Sequence, residues 1–139
     1  MPRQWSVLWK TVRGSKQMST SYLLDSSVLV LLLKQDMTIS QKLAGVERAT
    51  FYVSTVALGE LYYGAEHSIY VEKSRADVDA LTLTMTVLVA DHATARKYGL
   101  LKHEQRAKGL MLPDNDLWIA ATALQYGLTL VARDQHFTW

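Results

Sequence analysis

The sequence predicts an α/β domain with a central parallel sheet of four or five short strands and helices on both faces. Three observations predict it. Short apolar segments alternate with longer helical stretches along the chain. Those segments are apolar at consecutive positions, as strands buried on both faces are, not at every second position. Turn and capping residues bound each of them.

The elements follow in order. Tyr22-Leu23-Leu24 reads as the first strand and ends at Asp25. Ser26 and Ser27 then open a helix through about Leu33, and Thr38 to Glu47 reads as a second helix. Phe51-Tyr52-Val53 is the next strand, ending at Ser54-Thr55. A helix follows from about Val56 to His67, and another from about Tyr70 to Leu83. Thr86 to Val89 is the third strand. Asp91 caps a long helix reaching about Lys108, with Ala95, Tyr98 and Leu101 three apart on one face. Pro113-Asp114 opens a further helix. There Leu117, Ala120, Ala121 and Leu124 fall at i, i+3, i+4 and i+7, a core-facing stripe. Gly127 ends it, and Leu128 to Val131 is the fourth strand, followed at once by Arg133-Asp134. No internal repeat or linker interrupts this run, so one domain is expected over residues 18–139.

Composition narrows the class. The 139 residues are 49% hydrophobic and 20% charged, enough apolar mass for one packed core. Cysteine is absent, which excludes a disulfide scaffold and a Cys-based zinc site and suits a cytoplasmic protein. The longest apolar run, Val28 to Leu33, is far short of the roughly 20 residues of a membrane span. The net charge of +2 is uneven. Residues 1–17 hold Arg3, Lys10, Arg13 and Lys16 and no acid, while residues 18–139 hold 11 bases against 13 acids. The leader has no clean period and no signal-peptide core, and Met18 is an alternative start. A disordered extension is therefore expected over residues 1–17.

Four acids stand out by position. Ligand sites of open parallel sheets lie beyond the carboxyl ends of the strands. Asp25 follows the first strand there and Asp134 the fourth. Glu60 lies about one turn into its helix, and Asp116 in the first turn after Pro113. Each has an ordinary reading: helix cap for Asp25, solvated helix residue for Glu60, dipole partner for Asp116, turn former for Asp134. Their apolar neighbours favour another. Half-buried carboxylates repel one another unless a cation neutralises them. Oxygen ligands without His or Cys suit Mg²⁺ or Mn²⁺, and carboxylate-held ions of this kind hydrolyse phosphodiesters. Asp114 reads as a cap behind Pro113, with a second reading as a water-mediated contact to the metals. Ser26 and Ser27 are candidates to hydrogen-bond a ligand carboxylate or the phosphate, or only to begin the helix. Arg133 is a candidate RNA-phosphate contact or an ordinary exposed Arg. His136 reads as structural.

At these residues the sequence resembles the PIN-domain ribonucleases, and within them the VapC-type toxins of toxin–antitoxin pairs. The matching segments are Tyr22-Leu-Leu-Asp25-Ser-Ser-Val-Leu, Ser54-Thr-Val-Ala-Leu-Gly-Glu60-Leu-Tyr-Tyr-Gly, Leu112-Pro-Asp-Asn-Asp116-Leu-Trp-Ile-Ala-Ala-Thr-Ala, and Gly127-Leu-Thr-Leu-Val-Ala-Arg-Asp134-Gln-His-Phe. The resemblance runs from about Ser19 to Phe137. It implies a PIN-like three-layer sandwich and a metal site of Asp25, Glu60, Asp116 and Asp134. It also implies Mg²⁺ or Mn²⁺, an RNA substrate such as tRNA or rRNA, a homodimer, and a cognate VapB-like antitoxin that blocks the site. Three departures accompany it. Residues 1–17 are extra, the chain stops at Trp139 where the family continues into a further edge strand, and Ala132 stands where the family often has Thr or Ser.

Two other functions compete. A catalytically weak or inactive PIN-like module would bind RNA or antitoxin without cleavage. A phosphatase of the haloacid-dehalogenase type shares the first-strand Asp, but it needs a second Asp where this chain has Ser27.

Overall fold

A computed structural model describes residues 8–11, 21–46 and 48–133. The elements run β1 (Leu8–Thr11), β2 (Ser21–Leu24), α1 (Ser26–Leu33), α2 (Met37–Ala44), β3 (Thr50–Ser54), α3 (Thr55–Glu66), α4 (Val71–Thr82), β4 (Thr86–Leu88), α5 (His92–Ala107), α6 (Asp114–Tyr126) and β5 (Thr129–Ala132). The strand order is β1-β5-β2-β3-β4. Strands β5, β2, β3 and β4 are parallel, and β1 runs antiparallel to β5. The chain steps from β2 outward to β3 and β4, then returns to place β5 on the other side of β2. That reversal puts a crevice at the carboxyl ends of β2 and β5.

Burial explains why these short strands hold. Successive strand residues point to opposite faces. Leu23 and Leu24 are both fully buried, as are Leu130 and Val131, so the sheet is covered on both sides. Against it pack Val28 and Leu29 of α1, Leu61 of α3 and Ile119 of α6, all in one core cluster. Ala120, Ala121 and Ala123 of α6 are fully buried, and such small side chains let that helix approach closely. The caps expected from sequence are present. Asp91 closes a reciprocal capping box with Thr94, and Gly127 ends α6 in the left-handed conformation at φ 66°.

Two sequence expectations are revised. On α5 the buried line runs through Thr94, Leu101 and Gln105, while Ala95 is exposed. The stripe read from Ala95, Tyr98 and Leu101 was rotated by about one position, because Thr94 bonds inward to Gln125 and turns that flank to the core. The second concerns the extension. Within residues 1–17, Leu8–Thr11 forms an edge strand in register with β5, from Leu8 opposite Ala132 to Thr11 opposite Thr129. Backbone pairing needs no side-chain period, so nothing in the leader's pattern announced it. An open strand edge offers a row of unpaired backbone groups, and β1 satisfies that row along β5.

Candidate active site

The site is built at the carboxyl end of β2. Asp25 follows that strand directly and is 3% exposed. Its amide donates to the Val131 carbonyl at 2.9 Å, which ties it to β5. Its carboxylate caps α1, with Oδ2 accepting from the Ser27 amide at 3.2 Å and the Ser27 hydroxyl at 2.7 Å. The capping reading of Asp25 holds, and the same residue lines a pocket at the end of β2. Ser27 Oγ also accepts from the Arg133 amide at 3.1 Å. One hydroxyl thus fastens the end of β5 to the acid at the end of β2.

Glu60 arrives from α3, the helix that Ser54 begins by capping the Ala57 amide at 3.1 Å. Its Oε2 accepts from the Ser26 hydroxyl at 3.1 Å. Its Oε1 is buried with no hydrogen-bond partner among the described residues. Asp116 is half-buried in the first turn of α6, which Pro113 starts without a side-chain cap. Asp25, Ser26, Ser27, Glu60 and Asp116 line one pocket of about 200 Å³, together with Val30 and Leu61. Burial pushes the Glu60 carboxyl above its ordinary value. The Ser26 hydrogen bond opposes this, and the charges of Asp25 and Asp116 push it further up. Three acids from remote stretches of chain therefore act on one another through a single pocket.

Among the described residues, no three carboxylate or imidazole side chains are gathered closely enough to enclose an ion. The donor set still fits a hard divalent cation, since it is all oxygen and Glu60 Oε1 is a buried acceptor without a donor. Asp134, the fourth predicted acid, and His136 lie outside the described residues.

The remaining candidates divide. Ser26 and Ser27 bond the site acids directly. Arg133 meets the site through its backbone amide. Asp114 neither caps α6 nor lines the pocket. It is the first residue of that helix, and its carboxylate turns to α5, accepting from Tyr98 and Lys102. A phenol and an ammonium on the neighbouring helix are its partners. Val30 and Leu61 are pocket residues that the sequence reading missed. The available signal was helical spacing, because Val30 lies one turn after Ser26 on α1.

A second cavity of about 290 Å³ adjoins the first between α1, α3 and α4 and shares Val30, Glu60 and Leu61 with it. Leu33, Ala65 and Val78 make its floor largely apolar.

The fold agrees with comparison to known proteins. The PIN domain model matches residues 22–138. A Ribonuclease VapC2 of Haemophilus influenzae is 30% identical over 113 residues, covering 81% of this chain and 86% of that protein. A tRNA(fMet)-specific endonuclease VapC of Shigella flexneri is 26% identical over 113 residues, with the same coverage of 81% and 86%. Among solved structures, VapBC2 from Rickettsia felis, bound to a DNA fragment from their promoter, superposes with a TM-score of 0.74 at 27% identity. That match covers 79% of this chain and 84% of the other. The chain is a PIN-domain protein and belongs, within that family, with the VapC ribonucleases.

Proposed function

We propose that the protein is the toxin of a toxin–antitoxin pair, an endoribonuclease held in check by a cognate VapB-like antitoxin. The observation that carries this reading is the convergence of Asp25, Glu60 and Asp116 on one pocket at the carboxyl end of β2. The VapC relatives supply the reaction class, since their names specify ribonuclease and, for one, a tRNA. RNA, with tRNA or rRNA as the first candidates, is the substrate, and the protein acts in the cytoplasm as a homodimer. No helix among the described residues is long and apolar enough to cross a membrane.

Asp25, Glu60, Asp116 and Asp134 would hold Mg²⁺ or Mn²⁺. Bound there, the ion supplies charge neutralisation and Lewis acidity for phosphodiester hydrolysis. The chain's own residues prepare that site. Ser27 holds the Asp25 carboxylate and Ser26 holds Glu60, so each acid presents one oriented oxygen. Val30 and Leu61 make one wall of the pocket apolar. Arg133, beside Asp134, offers a cation for an RNA phosphate. The apolar cavity that shares Glu60 with the pocket supports an inhibitor that blocks the site by lying across both. Residues 18–139 make the nuclease unit, with 1–17 an extension.

The test is cleavage of RNA by the purified protein with Mg²⁺ or Mn²⁺, alongside Asp25→Asn and Asp116→Asn. Cleavage falls at least ~100-fold in either variant, as expected when a group acting on the transition state is lost, and it stops in EDTA. Activity that survives both substitutions, or EDTA, overturns the metal-dependent reading.

A further inference from the structure

Asp116 lies between two residues that one tyrosine holds. The Tyr98 hydroxyl donates to Asp114 Oδ1 at 2.8 Å, two residues before Asp116. The Tyr98 ring stacks on Trp118, two residues after it, with centroids 4.1 Å apart and planes at 13°. Lys102, one turn along α5, donates to the Tyr98 oxygen at 3.0 Å and to Asp114 Oδ1 at 3.2 Å. The hydroxyl is thus used in both directions, giving its proton to Asp114 and accepting one from Lys102.

The geometry says what this contact is suited to do. Asp114 and Trp118 are four apart and share one face of α6, while Asp116 projects from roughly the opposite side of the helix. Pinning the 114/118 face to α5 sets the rotation of the first turn, and so the direction in which the Asp116 carboxylate enters the pocket. The pinning matters because Pro113 leaves that turn without a side-chain cap. The stacked rings add to stability, but the ion pair beside them is a weak source of it. The Lys102 and Asp114 side chains are 34% and 63% exposed, and ion pairs that open to water contribute little.

We propose that Tyr98 is a positioning residue for Asp116, acting through Asp114 and Trp118 to fix the carboxylate for a divalent cation. This rests on the reading of Asp116 as a metal-holding acid. Groups that orient metal-holding side chains typically change metal affinity about 10–100-fold when removed.

The experiment titrates Mn²⁺ into the full chain, following free Mn²⁺ by electron paramagnetic resonance, and compares Tyr98→Phe, Tyr98→Leu and Asp114→Ala with the parent. Tyr98→Phe keeps the stacked ring and loses only the hydroxyl. It weakens Mn²⁺ binding about 10-fold and raises the Mn²⁺ concentration for half-maximal RNA cleavage in parallel, with KM for RNA unchanged. Asp114→Ala matches it, and Tyr98→Leu, which also loses the ring, weakens binding further. Gly127→Ala, at the far end of α6, serves as a stability control and lowers the Tm without changing Mn²⁺ affinity. Parent-like Mn²⁺ affinity in both Tyr98 variants overturns the proposal while leaving the metal site intact. A parent protein that binds no Mn²⁺ overturns the metal-site reading, and the proposal with it. If affinity tracks Tm across all variants, Gly127→Ala included, Tyr98 is structural only and the proposal fails.

Discussion

Ser26 donates its hydroxyl to Glu60 Oε2 at 3.1 Å and so joins two helices across 34 residues of sequence. The bond holds one oxygen of a carboxylate whose other oxygen is buried and has no donor among the described residues. An acid kept in this way is costly to the folded chain without a cation. That cost is measurable.

Burial first, and then the charges of Asp25 and Asp116, hold the Glu60 carboxyl above its ordinary 4.5, against the pull of Ser26. In metal-free protein the folded state therefore keeps this proton more tightly than the unfolded state does. Linkage fixes the sign, so stability from this group is greatest below 4.5 and declines as pH rises through the raised folded value. Glu60→Gln removes the ionisation. In EDTA at neutral pH it should melt higher than the parent and show a flatter stability–pH curve, while losing RNA cleavage. Thermal denaturation from pH 4 to 8 checks this, and a lower Tm for the variant would contradict it.

Ser27 joins Asp25 to the Arg133 amide through a single oxygen. Ser27→Ala should cost about 1 kcal/mol of stability for the lost hydrogen bonds. It should also cost about 10–100-fold in cleavage, because Asp25 loses the shorter of its two donors from Ser27 and keeps only the amide. Ser27→Thr keeps the hydroxyl and should recover most of that activity. Equal activity in Ala and Thr variants would show that the hydroxyl does not orient the acid.

Gly127 turns the chain from α6 into β5 at φ 66°, and an added Cβ would meet nothing within 4 Å. The cost of Gly127→Ala is therefore one of backbone conformation alone, about 1 kcal/mol. Gly127→Asn should cost less, because Asn tolerates the left-handed region. Urea denaturation orders the three proteins, and an Asn variant weaker than Ala would count against a purely conformational origin.

Ala121 is fully buried on α6 within the core cluster. Ala121→Leu inserts volume where the helix lies close to its neighbours and should cost about 1–3 kcal/mol. Ala121→Gly should also destabilise, by about 1 kcal/mol, through helix propensity. A Leu variant as stable as the parent would reveal free space beside α6.

Much of the fold was legible because its signals are local. Tyr22-Leu23-Leu24 is apolar on consecutive positions only because both faces of the sheet are covered. Asp91 and Gly127 mark helix ends through their own backbone chemistry. Asp25, Glu60 and Asp116 were legible by a weaker logic, as acids set in apolar surroundings near strand ends, and the fold brings all three to one pocket. What local pattern misjudged was contact between distant segments. Asp114 read as a helix cap, yet Tyr98 and Lys102 claim its carboxylate from a different helix. Leu8–Thr11 carried no period, yet the open edge of β5 pairs with it.

The sequence by itself determined the α/β class, the order of strands and helices after the leader, and the residues able to serve as acids and caps. Periodicity and capping act within a few residues, so one segment suffices to read them. Only the tertiary structure decided that Ser26 serves Glu60 while its neighbour Ser27 serves Asp25 and Arg133. It also decided that Tyr98 grips α6 on both sides of Asp116. Those pairings depend on which helices and strands become neighbours when the chain reverses around β2. A hydrogen bond reaches about 3 Å, and only the packed core brings residues 34 or 106 positions apart within that reach.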